Sequence, residues 1–192
     1  MELNEIGNNI FLIKNAINTE KCKEIVNFIK NNKNIQEYRP VDMKTYNNVE
    51  CSFIYINNNK NNTYLLELDN YIQNIIGDIL SVIKINNKEI PNNLADNGYV
   101  LRQIHGGTRL HTDGIFEKNN NNNPRILSII INLNDEYDGG EFHFPKQDLK
   151  VILNVGEAIC FPPYWTHPHE VTSVMFGQYR YTINTWLLET TI

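Results

Sequence analysis

From Tyr99 to the C-terminus the chain is a succession of short runs rich in β-branched and aromatic residues: YVLRQI, RILSIIINL, GEFHF, KVILNV, AICFP, HEVTSV and RYTINTWLL. Gly, Pro, Asn and Asp separate them. Runs of this length and composition favour pleated strands, and their close succession with turn residues between them predicts a sandwich or barrel.

The first half reads differently. Ile10-Phe11-Leu12-Ile13 is strand-like, and NTEKCKEIVNFIKNN then offers Asn18 or Thr19 as an N-cap and Glu20 for the first turn. Cys22, Ile25, Val26 and Ile29 fall at helical spacing, which predicts an amphipathic helix. Residues 38–55 alternate, most clearly over Ser52-Phe53-Ile54-Tyr55-Ile56, and predict one or two strands ending in a polar turn at 57–62. In TYLLELDNYIQNIIGDILSVI, the side chains of Leu65, Leu68, Ile72, Ile75, Ile76, Ile79 and Ile83 form one apolar stripe, weakened only at Gly77. Helices followed by strands imply two helices packed on the outside of a β core. The chain is expected to form one domain over residues 1–192, with helical support and outer strands in 1–97 and core strands in 98–192. The asparagine run at 119–123 is expected to be a surface loop.

Composition narrows the function classes. A net charge of −5 and a pI near 5.5 argue against an electrostatic footprint for nucleic acid or an anionic membrane. No apolar run approaches the roughly 18 to 20 residues of a membrane span, and no basic-then-apolar leader opens the chain, so a cytoplasmic location is expected. The heavy use of Asn and Lys is the drift an AT-rich viral or bacterial genome produces, and a viral origin would place the protein in the host cytoplasm. Cys22, Cys51 and Cys160 are scattered and lack CxxC spacing, as reduced thiols would be.

His111-Thr112-Asp113 carries the clearest chemistry. An imidazole and a carboxylate two residues apart on an extended segment share a face, with Cα atoms roughly 7 Å apart. Both can bind one metal ion. A further histidine from the pair His167 and His169 would complete a two-histidine, one-carboxylate facial triad, whose open positions suit non-haem Fe(II) oxygen chemistry. The bland alternative is a solvated strand end. Gly106-Gly107 and Gly114 nearby make the backbone permissive, as a crowded site requires.

The segments LRQIHGGTRLHTDGI, RILSIIINLNDEYDGGEFHFP, VGEAICFPPYWTHPHEV and RYTINTW, in this order over the C-terminal half, resemble the prolyl 4-hydroxylase-like family of Fe(II)/2-oxoglutarate-dependent dioxygenases. The resemblance implies a mainly β fold with α support: a double-stranded β-helix of jelly-roll or cupin-like form, with the metal between its two sheets. Carried over, His111 and Asp113 are metal ligands. His169 is the third, because the family's distal histidine is followed four and five residues on by Pro-Val and Ser173-Val174 stand there; His167 is the alternative. Arg180 would hold the distal carboxylate of 2-oxoglutarate, since a guanidinium fork meets a carboxylate in two charge-assisted hydrogen bonds. It stands eleven residues after His169 where the family has ten, but Asn184 and Trp186 follow it at the family's spacing, which points to an insertion around Gln178-Tyr179. On a strand, Arg180, Thr182, Asn184 and Trp186 share one face. The family's pocket tyrosine has Gln103 and Ile104 as its nearest equivalents, and Tyr99, on the same face as Gln103 by alternation, is a candidate substitute. Ser128, with Arg125 at the start of the family's Arg-x-x-Thr segment, is either a co-substrate contact or a small buried hydroxyl bonded to backbone. Arg102 and Arg109 either line the substrate mouth or are exposed, and Tyr164 and Trp165 serve packing or recognition.

The activity the resemblance implies uses Fe(II), 2-oxoglutarate and O2, with ascorbate as a candidate accessory, to hydroxylate an aliphatic C–H bond with release of succinate and CO2. With Asp113 present, hydroxylation is favoured over halogenation. The expected partner is a peptide or small molecule, first a peptidyl proline. A free amino acid, nucleoside or other metabolite is the alternative within the same chemistry, and a non-catalytic jelly-roll binding module is the alternative outside it.

Overall fold

The computed structural model describes residues 1–39, 49–87, 90–114 and 124–190. The chain opens with an antiparallel hairpin, β1 (Glu2–Gly7) and β2 (Ile10–Lys14). Asn18 then sits in extended backbone and accepts the N–H of Lys21 at 2.8 Å, starting α1 (Thr19–Asn31). After β3 (Glu37–Arg39) and β4 (Val49–Tyr55), Asn62 caps α2 (Thr63–Asn86) by accepting the N–H of Leu65 at 3.2 Å. The polar segment expected as a turn therefore supplies the start signal of the second helix. Among the described residues no helix is long and apolar enough to cross a membrane.

The remaining strands are β5 (Leu94–Asp96), β6 (Val100–His111), β7 (Arg125–Asn132), β8 (Phe142–Phe144), β9 (Leu149–Val151), β10 (Ala158–Phe161), β11 (His169–Val174) and β12 (Arg180–Glu189). Their hydrogen-bonded order is β1-β2-β10-β7-β12-β6-β11-β8-β9, with β4 continuing from β6, β3 from β4, and β5 on β12. The path curls on itself. Ile10, Ile130, Ile159 and Phe161 from β2, β7 and β10 form one apolar cluster with Phe142 and Phe144 from β8, far along the path. The rings of Phe144 and Phe161 meet edge-on with centroids 5.0 Å apart. This nearly closed antiparallel barrel is the double-stranded β-helix.

Alternation on the central strands separates two environments. On β12, Tyr181, Ile183 and Leu187 join Ile129 and Ile131 of β7 in a core completed by Ile25 and Ile29 of α1 and Leu65, Leu68 and Ile72 of α2. The opposite face of β12, with Arg180, Asn184 and Trp186, is turned into the barrel. The helices therefore cover the outside of the sheet and leave its inner face for the site.

The C-terminal runs all contain strands, and both helices carry the expected stripes. β1 and β5 were not expected; each is short, polar and paired along a single partner, so neither carries a strong period-two signal. β6 is longer than its run, continuing through Gly106-Gly107 to His111 because β11 lies against it; a Cβ on Gly107 would come within 2.5 Å of the Val171 carbonyl oxygen. The loop expected at 119–123 lies outside the described residues.

Candidate active site

His111 closes β6 and His169 opens β11, and the two are direct partners across the antiparallel ladder. Pairing of these strands brings together residues far apart in the chain. Asp113 follows just past the end of β6, and the backbone there is tied down where Gly114 N–H donates to the Pro163 carbonyl at 2.7 Å. His111 Nε2 lies 3.3 Å and His169 Nε2 3.9 Å from Asp113 Oδ1. The three potential ligand atoms all lie within 4.8 Å of one another.

Each imidazole is oriented by its other nitrogen. His111 Nδ1 donates to the Arg109 carbonyl at 2.8 Å and His169 Nδ1 to the His167 carbonyl at 3.2 Å. Because a carbonyl only accepts, both Nδ1 atoms carry hydrogen; each Nε2 faces the site and offers a lone pair to a metal once its imidazole is neutral. Ser128 Oγ on β7 donates to Asp113 Oδ2 at 2.7 Å, leaving Oδ1 toward the histidines. Arg125 Nη1 donates to the Asp113 carbonyl at 2.6 Å while its guanidinium lies 4.0 Å from the Trp186 ring centroid. His169 is buried between the rings of Phe144 and Phe161.

Burial alone would raise the Asp113 carboxyl, but the hydrogen bond from His111, the charges of His169 and His111 and the Ser128 hydroxyl hold it well below the usual carboxylate range. Burial lowers His169. At His111 burial acts in the same direction but is outweighed by Asp113, so that imidazole is raised. Two imidazole nitrogens and one carboxylate oxygen ionised at neutral pH, held in place before any ligand arrives, fit a divalent iron of the facial-triad type.

His167 is placed elsewhere. Its Nε2 donates to the Asn8 carbonyl at 2.7 Å and its Nδ1 accepts from the Thr166 hydroxyl at 2.8 Å, so both nitrogens are engaged. The structure groups His169, not His167, with His111 and Asp113.

Adjoining the triad is a cavity into which Arg180, Asn184 and Trp186 all project, as alternation on β12 requires, with Ile104, Ile130 and Phe142 as its apolar walls. Arg180 is buried. Its Nη1 donates to the Gly140 carbonyl at 3.0 Å, its guanidinium sits 5.0 Å from the Phe142 ring centroid, and its Nε has no hydrogen-bond partner among the described residues. Burial pushes its pKa down to about 10, so it remains a cation at neutral pH. A buried cation with an unsatisfied donor, facing a cavity, fits an anionic group. Asn184 Oδ1 accepts from the Thr182 hydroxyl at 2.6 Å.

Three expected co-substrate contacts fall differently. Gln103 points away from the cavity and borders a surface pocket with Gln36, Ser52 and Tyr179; on β6 it is Arg102 and Ile104 that face the site. Tyr99 packs in the helix-side core and donates its hydroxyl to Asp96 Oδ2 at 3.0 Å, so only its edge borders the outer groove. Ser128 bonds neither a backbone group nor the Arg180 end of the cavity but the carboxylate of Asp113. Tyr164 and Trp165 lie with His167 at a separate surface pocket. Sequence reasoning missed Phe142 and Ile130 as walls, since nothing in an apolar strand residue distinguishes cavity from core.

A second, outer groove of about 590 Å³ opens from the same place. It shares Arg102, Thr108, His111, Asp113 and Trp186 with the inner cavity and extends past Phe53, Tyr55 and Asn57.

Residues 99–188 match the model of the 2OG-Fe(II) oxygenase superfamily. Comparison with curated proteins finds no match. Among solved structures the chain is similar to a viral collagen prolyl hydroxylase from Paramecium Bursaria Chlorella virus-1 in complex with 2OG, with a TM-score of 0.67, 16% identity, and coverage of 96% of this chain and 98% of that one. A Pseudomonas putida prolyl-4-hydroxylase gives a TM-score of 0.65 at 15% identity over 95% and 94% of the two chains. A Trichoplax adhaerens prolyl hydroxylase in complex with a hypoxia inducible factor oxygen degradation domain peptide fragment gives 0.68 at 17% identity over 95% and 84%.

Proposed function

From the premise that residues 99–188 belong to the 2OG-Fe(II) oxygenase superfamily and make this chain a 2-oxoglutarate/Fe(II)-dependent dioxygenase, we propose that it hydroxylates an aliphatic C–H bond of a peptidyl proline, with release of succinate and CO2. The observation that carries the reading is that the triad lies where a buried, arginine-ended cavity meets an open groove. One compartment suits a small dicarboxylate and the other an extended chain. The Trichoplax neighbour, solved with a peptide, supports a peptide as the second occupant.

His111, Asp113 and His169 would hold Fe(II), and Arg180 the far carboxylate of 2-oxoglutarate. When bound, the iron and 2-oxoglutarate supply the oxidising power that O2 needs to attack an unactivated C–H bond. The chain's own contribution is placement and exclusion. Ser128 restrains one oxygen of Asp113 so that the other faces the histidines. Ile104, Ile130 and Phe142 give the inner compartment apolar walls, which would strengthen the pairing of Arg180 with a carboxylate. Trp186, supported by Arg125, forms a flat wall shared by both compartments and would position the ring to be hydroxylated.

The test is succinate release with Fe(II) and 2-oxoglutarate across proline peptides, free amino acids and nucleosides, with product mass measured in parallel. Proline peptides should stimulate succinate and gain one oxygen atom. Stimulation by a free amino acid or nucleoside alone would replace the peptide reading, and absence of succinate with every substrate would leave a binding module.

A further inference from the structure

Arg102 is the cation that the dioxygenase reading does not use. It projects from β6 toward the site and forms part of the wall between the inner cavity and the outer groove, lining both. Its guanidinium lies 5.4 Å from the ring centroid of Phe53 on the neighbouring strand β4. None of the salt bridges among the described residues includes it. Its Nε is shielded from solvent and has no hydrogen-bond partner there. An arginine with a dry, unpaired donor is costly to keep unless a ligand completes it.

The groove around it is cationic although the chain carries a net charge of −5. Among the described residues its ionic lining is Arg102, Arg125, His111 and Asp113, and the carboxylate of Asp113 is committed to the metal site. Arg125 is also committed, to the Asp113 carbonyl and the Trp186 ring. Arg180, which would serve the co-substrate, does not line the groove. Among the described residues one guanidinium therefore remains on the substrate side with no anion to meet.

We propose that Arg102 binds a carboxylate of the primary substrate, so that the preferred peptide carries Asp or Glu beside the residue that is hydroxylated. This rests on the peptide reading above. Phe53 flanks the guanidinium at the groove wall, and an acidic side chain entering the groove receives it in a forked, charge-assisted contact. The source of the carboxylate is the substrate and not 2-oxoglutarate, because the inner compartment already ends in Arg180.

The test is calorimetric binding to the full chain loaded with Mn(II) and 2-oxoglutarate. The probes are Asp-Pro, Asn-Pro and Lys-Pro peptides of otherwise identical sequence, and a proline-free pair, N-acetylaspartate amide and N-acetylasparagine amide. The Asp-Pro peptide should bind at least tenfold more tightly than the Asn-Pro peptide. Arg102→Gln should reduce that ratio to within twofold, Arg102→Glu should shift preference to the Lys-Pro peptide, and Arg102→Lys, which keeps the charge and guards against misfolding, should give an intermediate ratio. Affinity for 2-oxoglutarate should change less than twofold in all three. The proposal falls if neither pair shows an acidic preference, if the preference survives Arg102→Gln, or if Arg102→Gln weakens 2-oxoglutarate more than peptide. If the acidic member wins in the proline-free pair while proline adds nothing, the role of Arg102 stands and the proline reading falls.

Discussion

Ser128 on β7 donates its hydroxyl to Asp113 Oδ2 at 2.7 Å, so the carboxylate at the end of β6 is positioned by a strand that joins it only through the barrel. Hydrogen bonds that orient a metal ligand typically govern affinity by 10- to 100-fold. Ser128→Ala should therefore weaken Fe(II) or Mn(II) binding by about tenfold while leaving the far-ultraviolet circular dichroism unchanged, and Ser128→Thr should retain most of the affinity. Equal metal affinity in the alanine variant would show that the bond does not hold the ligand.

The two histidines of the WTHPHEV segment should separate cleanly. His169→Ala removes an Nε2 directed at the metal site, and metal content of the purified protein should fall to background. His167→Ala removes a buried side chain joined to the Asn8 carbonyl and the Thr166 hydroxyl and should leave metal content intact. Its effect is on stability, at about 0.5–3 kcal/mol for truncation of a buried, hydrogen-bonded side chain, read from denaturant unfolding. Loss of metal in the His167 variant alone would reverse the ligand choice.

Much of this arrangement was legible because period-two alternation is strict on a regular strand. Arg180, Thr182, Asn184 and Trp186 were expected on one face, and β12, whose pairing is regular until the register shift at Leu187/Leu188, puts them there. On β6 the rule does not carry through to the site, and Gln103, expected there with Ile104 as an equivalent of the family's pocket tyrosine, does not face it. His169 pairs with His111 but Val171 pairs with Thr108, so two steps on β11 match three on β6. The bulge changes which parity faces inward: counted back from His111, Gln103 is on the site's face, yet the structure presents Arg102 and Ile104. No local signal distinguished the extra residue, since the partner strand that creates it lies far away in sequence. The role of Ser128 was hidden for a related reason, because it depends on a contact between strands and not on spacing within one.

Arg180 is expected to act on the co-substrate alone. Replacing it with Gln removes the buried cation at the far end of the cavity and leaves the triad untouched. Losing one partner of a buried charge pair costs roughly 2–5 kcal/mol. Affinity for 2-oxoglutarate should accordingly fall by about 30-fold or more in titrations of the Mn(II)-loaded protein, with metal affinity changed less than threefold. Arg180→Lys should recover part of it, since the charge returns without the planar fork. A parallel loss of metal would instead assign Arg180 a structural role.

The alkaline limb of stability should depend on two buried thiols. Burial pushes Cys22 up to about 11 and raises Cys160 further, whereas an unfolded cysteine titrates near about 8.5. Each thiol is thus kept protonated by folding. Its stabilising contribution is complete below the unfolded value and is lost as pH rises from there toward the folded value, because only the unfolded chain gains by releasing the proton. Between pH 7.5 and pH 9, a full unit below the ordinary tyrosine value, the melting temperature of the wild-type chain should fall. Cys22→Ala should lower the melting temperature at both pH values through lost packing, yet shrink the difference between them, and the double variant with Cys160→Ala should nearly abolish that difference. An unchanged pH dependence in the double variant would place the alkaline loss on other groups.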